Sequence, residues 1–187
     1  MINNFDTFPF ERVEWEFYFF QLINRQKQWS NNKSRCIKSY FIRDQNHLVA
    51  KINEMKVIAD TTGSRIYMHP ARRSERLVSL DLLTYTADCI KHNEIGRLWR
   101  WYETACWRNH WTEKWRMVDV DTKDDVVLQE VIKHIESLKP YRTYEHINPT
   151  VSWYHILYKW WFDSSNYQYH QEHEIHKNNP TLMYYNS

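Results

Sequence analysis

Two runs of aromatic and β-branched residues, at positions 16–23 (EFYFFQLI) and 35–42 (RCIKSYFI), constrain the fold of this chain more than any other feature. Such side chains favour β-strands, and the polar stretch between the runs is typical of a loop, so we expect a β-hairpin. Asp44 then precedes a segment whose hydrophobic residues recur near helical spacing, and Gly63 follows it as a helix stop. The order of elements is therefore ββα.

The rest of the N-terminal half predicts one more strand and two helices. The segment SRIYMHP alternates in character and ends at Pro70, which indicates a strand. Ser74 is a suitable N-cap for a helix that runs to about Ile90. A further helix is expected over residues 94–105, and the segment CWRNHWTEK that follows is expected to be a loop. This half therefore forms a ββαβα unit.

The C-terminal half opens with a predicted strand, WRMVDVD, at residues 115–121. Thr122 is a good N-cap for the amphipathic helix that follows, and Asp125 three residues later completes an acidic variant of the capping box. The segment YHILY, at residues 154–158, predicts the next strand. Strand, helix and strand in this order are similar to a βαβ unit, so the predicted fold class is α/β (α+β).

Length and composition indicate one domain over residues 1–187. A chain of this length with 42% hydrophobic residues can bury a sizeable core, and two full domains would be cramped. We divide it into an accessory α/β half, residues 1–112, and a second half, residues 113–187. The longest apolar runs fall far short of a membrane span, and the N-terminus lacks the pattern of a secretory signal. We therefore expect no membrane association and a cytoplasmic location.

Charge and cysteine content limit the partners of the chain. Twenty-five Lys and Arg residues against 23 Asp and Glu residues leave a net charge of +2, so contact with nucleic acid must come from a local patch. The three cysteines lie far apart and show no CxxC spacing, which argues against a disulfide framework or a zinc knuckle.

The chain has only two glycines but ten tryptophans. Several tryptophans stand among turn-forming neighbours, where a loop that needs a positive φ normally has glycine. These are Trp29, Trp107, Trp111, Trp153 and one of Trp160 and Trp161. One hypothesis is that some of these codons are UGA and encode glycine in the source. The alternative is a tryptophan-rich surface with a binding role.

Two carboxylates at the end of the strand 115–121 are candidates for metal chemistry. The strand period of two places Asp119 and Asp121 on one face, with their Cα atoms about 6.5–7 Å apart. Carboxylates at this spacing can converge on Mg²⁺ or Mn²⁺, which prefer oxygen ligands. The alternative is a strand end followed by acids that cap a helix.

Three later residues can join these acids. His155 begins the strand YHILY, and its imidazole would lie beside the acids if the two strands are neighbours, in reach of a phosphate or a proton in transfer. Glu174 precedes a basic and amide-rich turn and can complete the metal site, with Lys177 as a point charge near a triphosphate. The alternatives are a structural histidine and a polar C-terminal turn.

Two other groups of residues are weaker candidates. Arg72 and Arg73 precede a helix N-terminus, where charge and helix dipole both favour phosphate, so they are predicted to bind a nucleic acid strand unless they form a solvated turn. A zinc site is the other candidate, at His170, His173 and His176. Their spacing drifts off one helical face, and no HExxH order accompanies them.

The order of a DxD strand, a histidine strand and a late acidic residue resembles the catalytic core of the archaeo-eukaryotic primase (primase-polymerase) superfamily, over residues 115–185. The resemblance implies an RRM-like primase palm with Asp119, Asp121 and Glu174 as metal ligands and His155 as a contact to nucleotide phosphate. The small residue that the family has two positions before its histidine is Trp153 here. The chain is also similar to short phage proteins that end in a HKNNPT-like motif.

These observations predict metal-dependent nucleotidyl transfer of the primase or polymerase type. The expected cofactor is Mg²⁺ or Mn²⁺, and the expected partners are a nucleotide triphosphate and single-stranded nucleic acid, in the host cytoplasm if a phage encodes the chain. The alternative is a non-catalytic nucleic-acid-binding phage accessory protein on a decayed primase-like fold, which stacks bases on Tyr and Trp rings. A third possibility is metal-dependent phosphodiester hydrolysis.

Overall fold

The computed structural model describes residues 1–25, 34–109, 115–137, 145–159, 173–177 and 179–186. The fold is mixed α+β and contains two antiparallel sheets. The strands of the first sheet are, in spatial order, β1 (Ile2–Asn3), β9 (Thr181–Tyr185), β4 (Arg65–Ser74), β2 (Glu16–Arg25) and β3 (Ser34–Ile42). Those of the second are β6 (His146–Pro149), β7 (Tyr154–Lys159), β5 (Trp115–Val120) and β8 (His173–Lys177).

Four α-helices lie among the described residues: α1 (Gln45–Thr62), α2 (Glu75–Lys91), α3 (Leu98–Arg108) and α4 (Asp125–Ser137). A 3₁₀ turn, Ile95–Arg97, precedes α3. The hairpin β2–β3 and the order ββα are confirmed, and so are α2 and the helix expected over residues 94–105, with small shifts in their ends. Residues 106–108 of the expected loop belong to α3, which extends to Arg108, and residues 110–114 lie outside the described residues. No described helix has the length and apolar character needed to cross a membrane.

Local capping residues set the ends of α1 and α2 as the sequence predicts. The side chain of Asp44 accepts a hydrogen bond from the backbone N–H of His47 at 2.8 Å. Gly63 ends α1 in the left-handed region, at φ 62°, where glycine carries no steric penalty. Ser74 caps α2 by accepting from the backbone N–H of Leu77 at 3.3 Å.

The cap of α4 differs from the prediction, in which Thr122 capped the helix and Asp125 completed a capping box. The side chain of Asp124 accepts from the backbone N–H of Val126 at 2.8 Å. Thr122 Oγ1 instead accepts from the backbone N–H of Asp124 at 3.1 Å. Asp124, the residue immediately before the helix, therefore makes the cap, and the threonine shapes the preceding turn.

Strand β4 continues past Pro70, where the sequence predicted its end. Proline cannot donate to a ladder and is normally confined to edge strands or bulges. Here β4 lies between β9 and β2, and its pairing with β2 shifts register between Phe17 and Phe19, opposite residues 69–73. This irregularity accommodates the proline inside the sheet.

The strand expected to close a βαβ unit, β7, is antiparallel to β5; α4 instead connects β5 to β6, which runs parallel to β5 with β7 between them. Strands β5 and β7 are neighbours but run in opposite directions, and β6 precedes β7 as its hairpin partner. Strand β9, from the second half of the chain, pairs with β4 and β1 in the first sheet.

One hydrophobic core lies between α1, the first sheet and the second sheet. It includes Phe20 and Met68 from the first sheet, and Met117 and Leu157 from the second. Helix α4 covers the opposite face of the second sheet with Leu128, Val131, Ile132 and Ile135. A smaller cluster joins the other face of the first sheet to α3. The second sheet is therefore a layer between the shared core and α4.

Trp15 adopts the left-handed backbone conformation, at φ 61°, with two thirds of its surface exposed. This conformation is costly for a residue with a Cβ atom. Trp107 and Trp153, which the sequence singled out as candidate glycine positions, have no such φ value. Trp29, Trp111, Trp160 and Trp161 lie outside the described residues.

Candidate functional site

Three of the predicted site residues meet in one row across the second sheet. Asp119, on the central strand β5, is directly opposite His155 on β7 and directly opposite Glu174 on β8. Directly opposed residues of an antiparallel pair point to the same face of the sheet. The prediction that the acidic strand and the histidine strand are neighbours is confirmed.

This row faces the first sheet. Met117, two residues before Asp119, and Leu157, two residues after His155, belong to the core between the sheets. Val118 and Val120, on the alternate positions, pack against α4. The row therefore lies at the end of the shared core, and we name this position the carboxylate cleft and define it by Asp119, His155 and Glu174.

Asp119 lacks a hydrogen bond at one of its carboxylate oxygens. Its Oδ1 is buried and makes no hydrogen bond to any described residue. The Nε2 atom of His155 lies 3.7 Å from it. Burial raises the pKa of Asp119, and the negative charges of Asp121 and Glu174 raise it further. Positive charge from His176 and Arg25 acts in the opposite direction on this pKa. The carboxylate is therefore held where a cation would stabilise it.

The three acids lie within electrostatic range of one another without forming a closed cage. Glu174 Oε2 lies 3.3 Å from His176 Nε2. Asp121 follows the last residue of β5. Among the described residues, no group of three or more His, Cys, Asp or Glu side chains is arranged to hold one ion.

This donor set fits Mg²⁺ or Mn²⁺ in one particular way. Mg²⁺ is usually bound through one or two carboxylates together with waters and substrate phosphates, and seldom by an all-protein cage. The unsatisfied oxygen of Asp119 and the neighbouring Asp121 and Glu174 provide hard oxygen ligands of this kind. The residues therefore fit an ion that arrives with a phosphate ligand.

His155 is buried and bonded on the side away from the acids. Its Nδ1 accepts from the backbone N–H of Leu182 at 3.4 Å and lies 3.1 Å from Thr181 Oγ1. Its Nε2 faces Asp119. Burial lowers the pKa of His155 to about 4, with smaller contributions from Arg25 and His176, so the ring is neutral at pH 7.

Arg72 and Arg73, which the sequence predicts to bind nucleic acid phosphates or to form a solvated turn, lie in the interior of the fold. Arg73 is 1% exposed and Arg72 is 9% exposed. Arg72 Nε pairs with Glu16 Oε2 at 3.1 Å, and burial lowers the pKa of Arg73 to about 10. The two residues belong to β4, and Arg73 is paired in register with Phe17 of β2, so the fold encloses both side chains.

The structure describes Lys177 and the three candidate zinc-binding histidines only in part. Lys177 pairs in register with Arg116, but its side chain lies outside what the structure describes, and its contact with a triphosphate stays a prediction. His170 and the side chain of His173 also lie outside the described part of the chain. His176 lies on β8, so the spacing of the three histidines is not that of a helix in this region.

Arg25, Thr181 and Asn148 are site residues that sequence reasoning missed. Arg25 ends β2 in the first sheet, yet its charge acts on both Asp119 and His155. Its guanidinium lies 5.2 Å from the ring centre of Tyr67. No spacing in the sequence links these residues to the acids, because the two sheets bring them together.

No protein-family model matches this chain, and neither the curated proteins nor the solved structures include a match to it.

Proposed function

We propose that this protein catalyses metal-dependent nucleotidyl transfer from a nucleotide triphosphate, in the manner of a primase or polymerase. One observation carries the proposal: Asp119, whose buried Oδ1 makes no hydrogen bond within the described residues, is paired in register with His155 and Glu174 on one face. A buried carboxylate oxygen without a hydrogen-bond partner destabilises the fold unless a ligand supplies the missing interaction.

In this reaction a 3′-hydroxyl group gives its proton to the solvent, its oxygen bonds to the α-phosphorus, the bond from that phosphorus to its bridging oxygen breaks, and pyrophosphate leaves. Asp119, Asp121 and Glu174 would hold the divalent ions, which neutralise phosphate charge and align the two oxygens. The side chains of the cleft bind and orient the triphosphate and exclude water from it.

His155 would donate a hydrogen bond to a phosphate oxygen. The backbone N–H of Leu182 can only donate, so Nδ1 of His155 is an acceptor and the proton of the neutral ring lies on Nε2. An Nε2–H group facing the cleft is a donor and not a general base. We expect its removal in His155→Ala to slow the reaction by about 10² to 10³, as for other donors to a developing phosphate charge.

Arg25 would supply positive charge from the opposite side of the cleft. It is exposed at the end of β2, and its charge acts on the two residues that face the substrate. A guanidinium suits a phosphate group because it can donate two parallel hydrogen bonds. We assign the single-stranded nucleic acid and the triphosphate to this cleft in place of Arg72 and Arg73.

The substitution Asp119→Asn tests the proposal. We expect it to abolish the thermal stabilisation that Mn²⁺ and a triphosphate give the wild type, and also primer extension. Without metal, its Tm should equal or exceed that of the wild type, because one of three repelling carboxylates is gone. Asp88→Asn, an exposed acid on α2 that lies 3.4 Å from His92, is the matched control.

Two outcomes would argue against the enzyme. Equal Mn²⁺-triphosphate binding by the Asp119→Asn variant would remove the metal site. Oligonucleotide binding that is equal or tighter in this variant, with no extension by the wild type, would instead support a nucleic-acid-binding protein that lacks catalysis.

A further inference from the structure

A buried hydrogen-bonded network lies directly behind His155. Thr181 and Asn148 are both 0% exposed. Thr181 Oγ1 lies 3.1 Å from His155 Nδ1, and Asn148 Nδ2 donates to Thr181 Oγ1 at 3.0 Å. Asn148 Oδ1 accepts from the hydroxyl of Thr7 at 2.9 Å. The network joins the N-terminal segment, the second sheet through β6 and the first sheet through β9.

The backbone N–H of Leu182 can only donate, and the direction of every other hydrogen bond in the network follows from it. The backbone N–H of Leu182 donates to Nδ1 of His155. Since Nδ1 is then unprotonated, the hydroxyl of Thr181 must also donate to it. The Thr181 oxygen is left to accept from the amide of Asn148. The amide oxygen of Asn148 then faces the hydroxyl of Thr7, which it shares with the carbonyl oxygen of Asn4.

We propose that Thr181 and Asn148 are positioning residues that hold the His155 ring in one orientation, in the tautomer that the backbone N–H of Leu182 sets, with Nε2–H presented to the carboxylate cleft. The identity of the acceptor as a phosphate rests on the proposed function; the orientation and the tautomer do not. Neither residue is exposed, so each acts through His155. The proposal also gives a role to the threonine of the HKNNPT segment, residues 176–181.

Removing the hydrogen-bond partner of a ligand-binding histidine lowers the affinity for the ligand. Partners that fix the tautomer of a metal-bound histidine contribute about 10-fold to 100-fold in affinity or activity. We expect Thr181→Val, which keeps the shape and loses the hydroxyl, to weaken Mn²⁺-triphosphate binding about tenfold. Thr181→Ser keeps the hydroxyl and should bind within about twofold of the wild type by titration calorimetry.

The ring nitrogens of His155 give a readout that needs no ligand. Long-range ¹H–¹⁵N spectra of the wild type should show a protonated Nε2 and a hydrogen-bonded, unprotonated Nδ1, with the signals assigned by their loss in His155→Gln. Thr181→Val should shift the Nδ1 signal towards that of a more weakly hydrogen-bonded acceptor, because only the backbone N–H of Leu182 then donates to it, whereas Thr181→Ser should leave it unchanged. If valine disrupts the fold, Thr181→Ala removes the same hydroxyl without adding bulk.

The two readouts separate this proposal from the function on which part of it rests. Ring signals that move with valine but not with serine support the positioning role, even if the wild type binds no triphosphate. A wild type that binds triphosphate, with a folded Thr181→Val variant that binds equally well and keeps the wild-type ring signals, would overturn the positioning role alone.

Discussion

At the scale of single residues, Asp119 and His155 are ionisable groups in surroundings that destabilise their charged forms. Burial and two neighbouring carboxylates raise the pKa of Asp119, and burial lowers that of His155 to about 4. Each shift records a cost of keeping that group charged in the folded state. The two groups nevertheless face each other at 3.7 Å, which is a better arrangement for a ligand than for stability.

The backbone of Trp15 leads to a prediction about stability. Trp15 has φ 61° and is 67% exposed, so glycine at this position would relieve strain and lose little buried surface. After the entropic cost of glycine in the unfolded chain, we expect Trp15→Gly to stabilise the protein by about 1 kcal/mol. Thermal melts should show a rise of about 2–4 °C in Tm.

Asn93 provides the comparison for this substitution. It has φ 57°, but asparagine tolerates the left-handed region, so Asn93→Gly should change Tm less than Trp15→Gly does. A lower Tm for Trp15→Gly would show that the tryptophan ring stabilises its turn.

At the scale of elements, one glutamate of α1 ties this helix to the edge strand β3. Glu54 accepts hydrogen bonds from Lys38 Nζ at 2.6 Å and Tyr40 Oη at 2.9 Å, both on β3, and from Lys51 Nζ at 3.2 Å. These bonds, Lys38 first, lower the pKa of Glu54 to about 2. The helix and the strand therefore share a charge cluster at the surface.

This cluster predicts a dependence of stability on pH. The pKa of Glu54 is about 2 in the folded state and 4.5 for an ordinary glutamate, so the folded state binds fewer protons between these values. The stabilisation is complete above pH 4.5 and is lost as the pH falls towards 2. In urea titrations, wild type should exceed Glu54→Gln in stability at pH 6, and the difference should vanish near pH 2.

Salt provides the check on this mechanism. Because the partners are surface groups, 1 M NaCl should shrink the difference at pH 6. A difference that persists unchanged at pH 2 would mean that Glu54 acts through packing and not through its charge.

At the scale of the whole molecule, the two sheets share one core. Leu157 of the second sheet is 0% exposed and lies in the same cluster as Phe20 and Met68 of the first. Strand β9 adds a covalent connection, because it follows β8 in the chain but pairs in the first sheet. We therefore expect the sheets to unfold together.

The substitution Leu157→Ala tests this coupling. It should cost about 2–5 kcal/mol through lost burial and a residual cavity. Hydrogen exchange should report faster opening of amides in β2 as well as in β5, because a shared core opens as one unit. Val126→Ala, at a position 66% exposed on α4, should change stability by less than about 0.5 kcal/mol. Protection lost only in β5 and β7 would instead indicate two independent units.

The sequence predicted the positions of some site residues and not of others. Strand alternation and the order of motifs identified Asp119, His155 and Glu174, and these are paired in register. The same reasoning assigned Arg72 and Arg73 to the surface, and they are buried. A helix N-terminus looks the same in sequence whether solvent or a second layer covers the strand before it.

The sequence by itself determined the features that depend on neighbours a few residues away. Asp44, Gly63 and Ser74 set helix ends because their partners lie within three to five residues along the chain. Only the tertiary structure decided that β9 joins the first sheet and that Arg25 and Thr181 reach the carboxylate cleft. Strand pairing depends on the total apolar surface that the whole chain buries, and no short segment of the sequence determines that total.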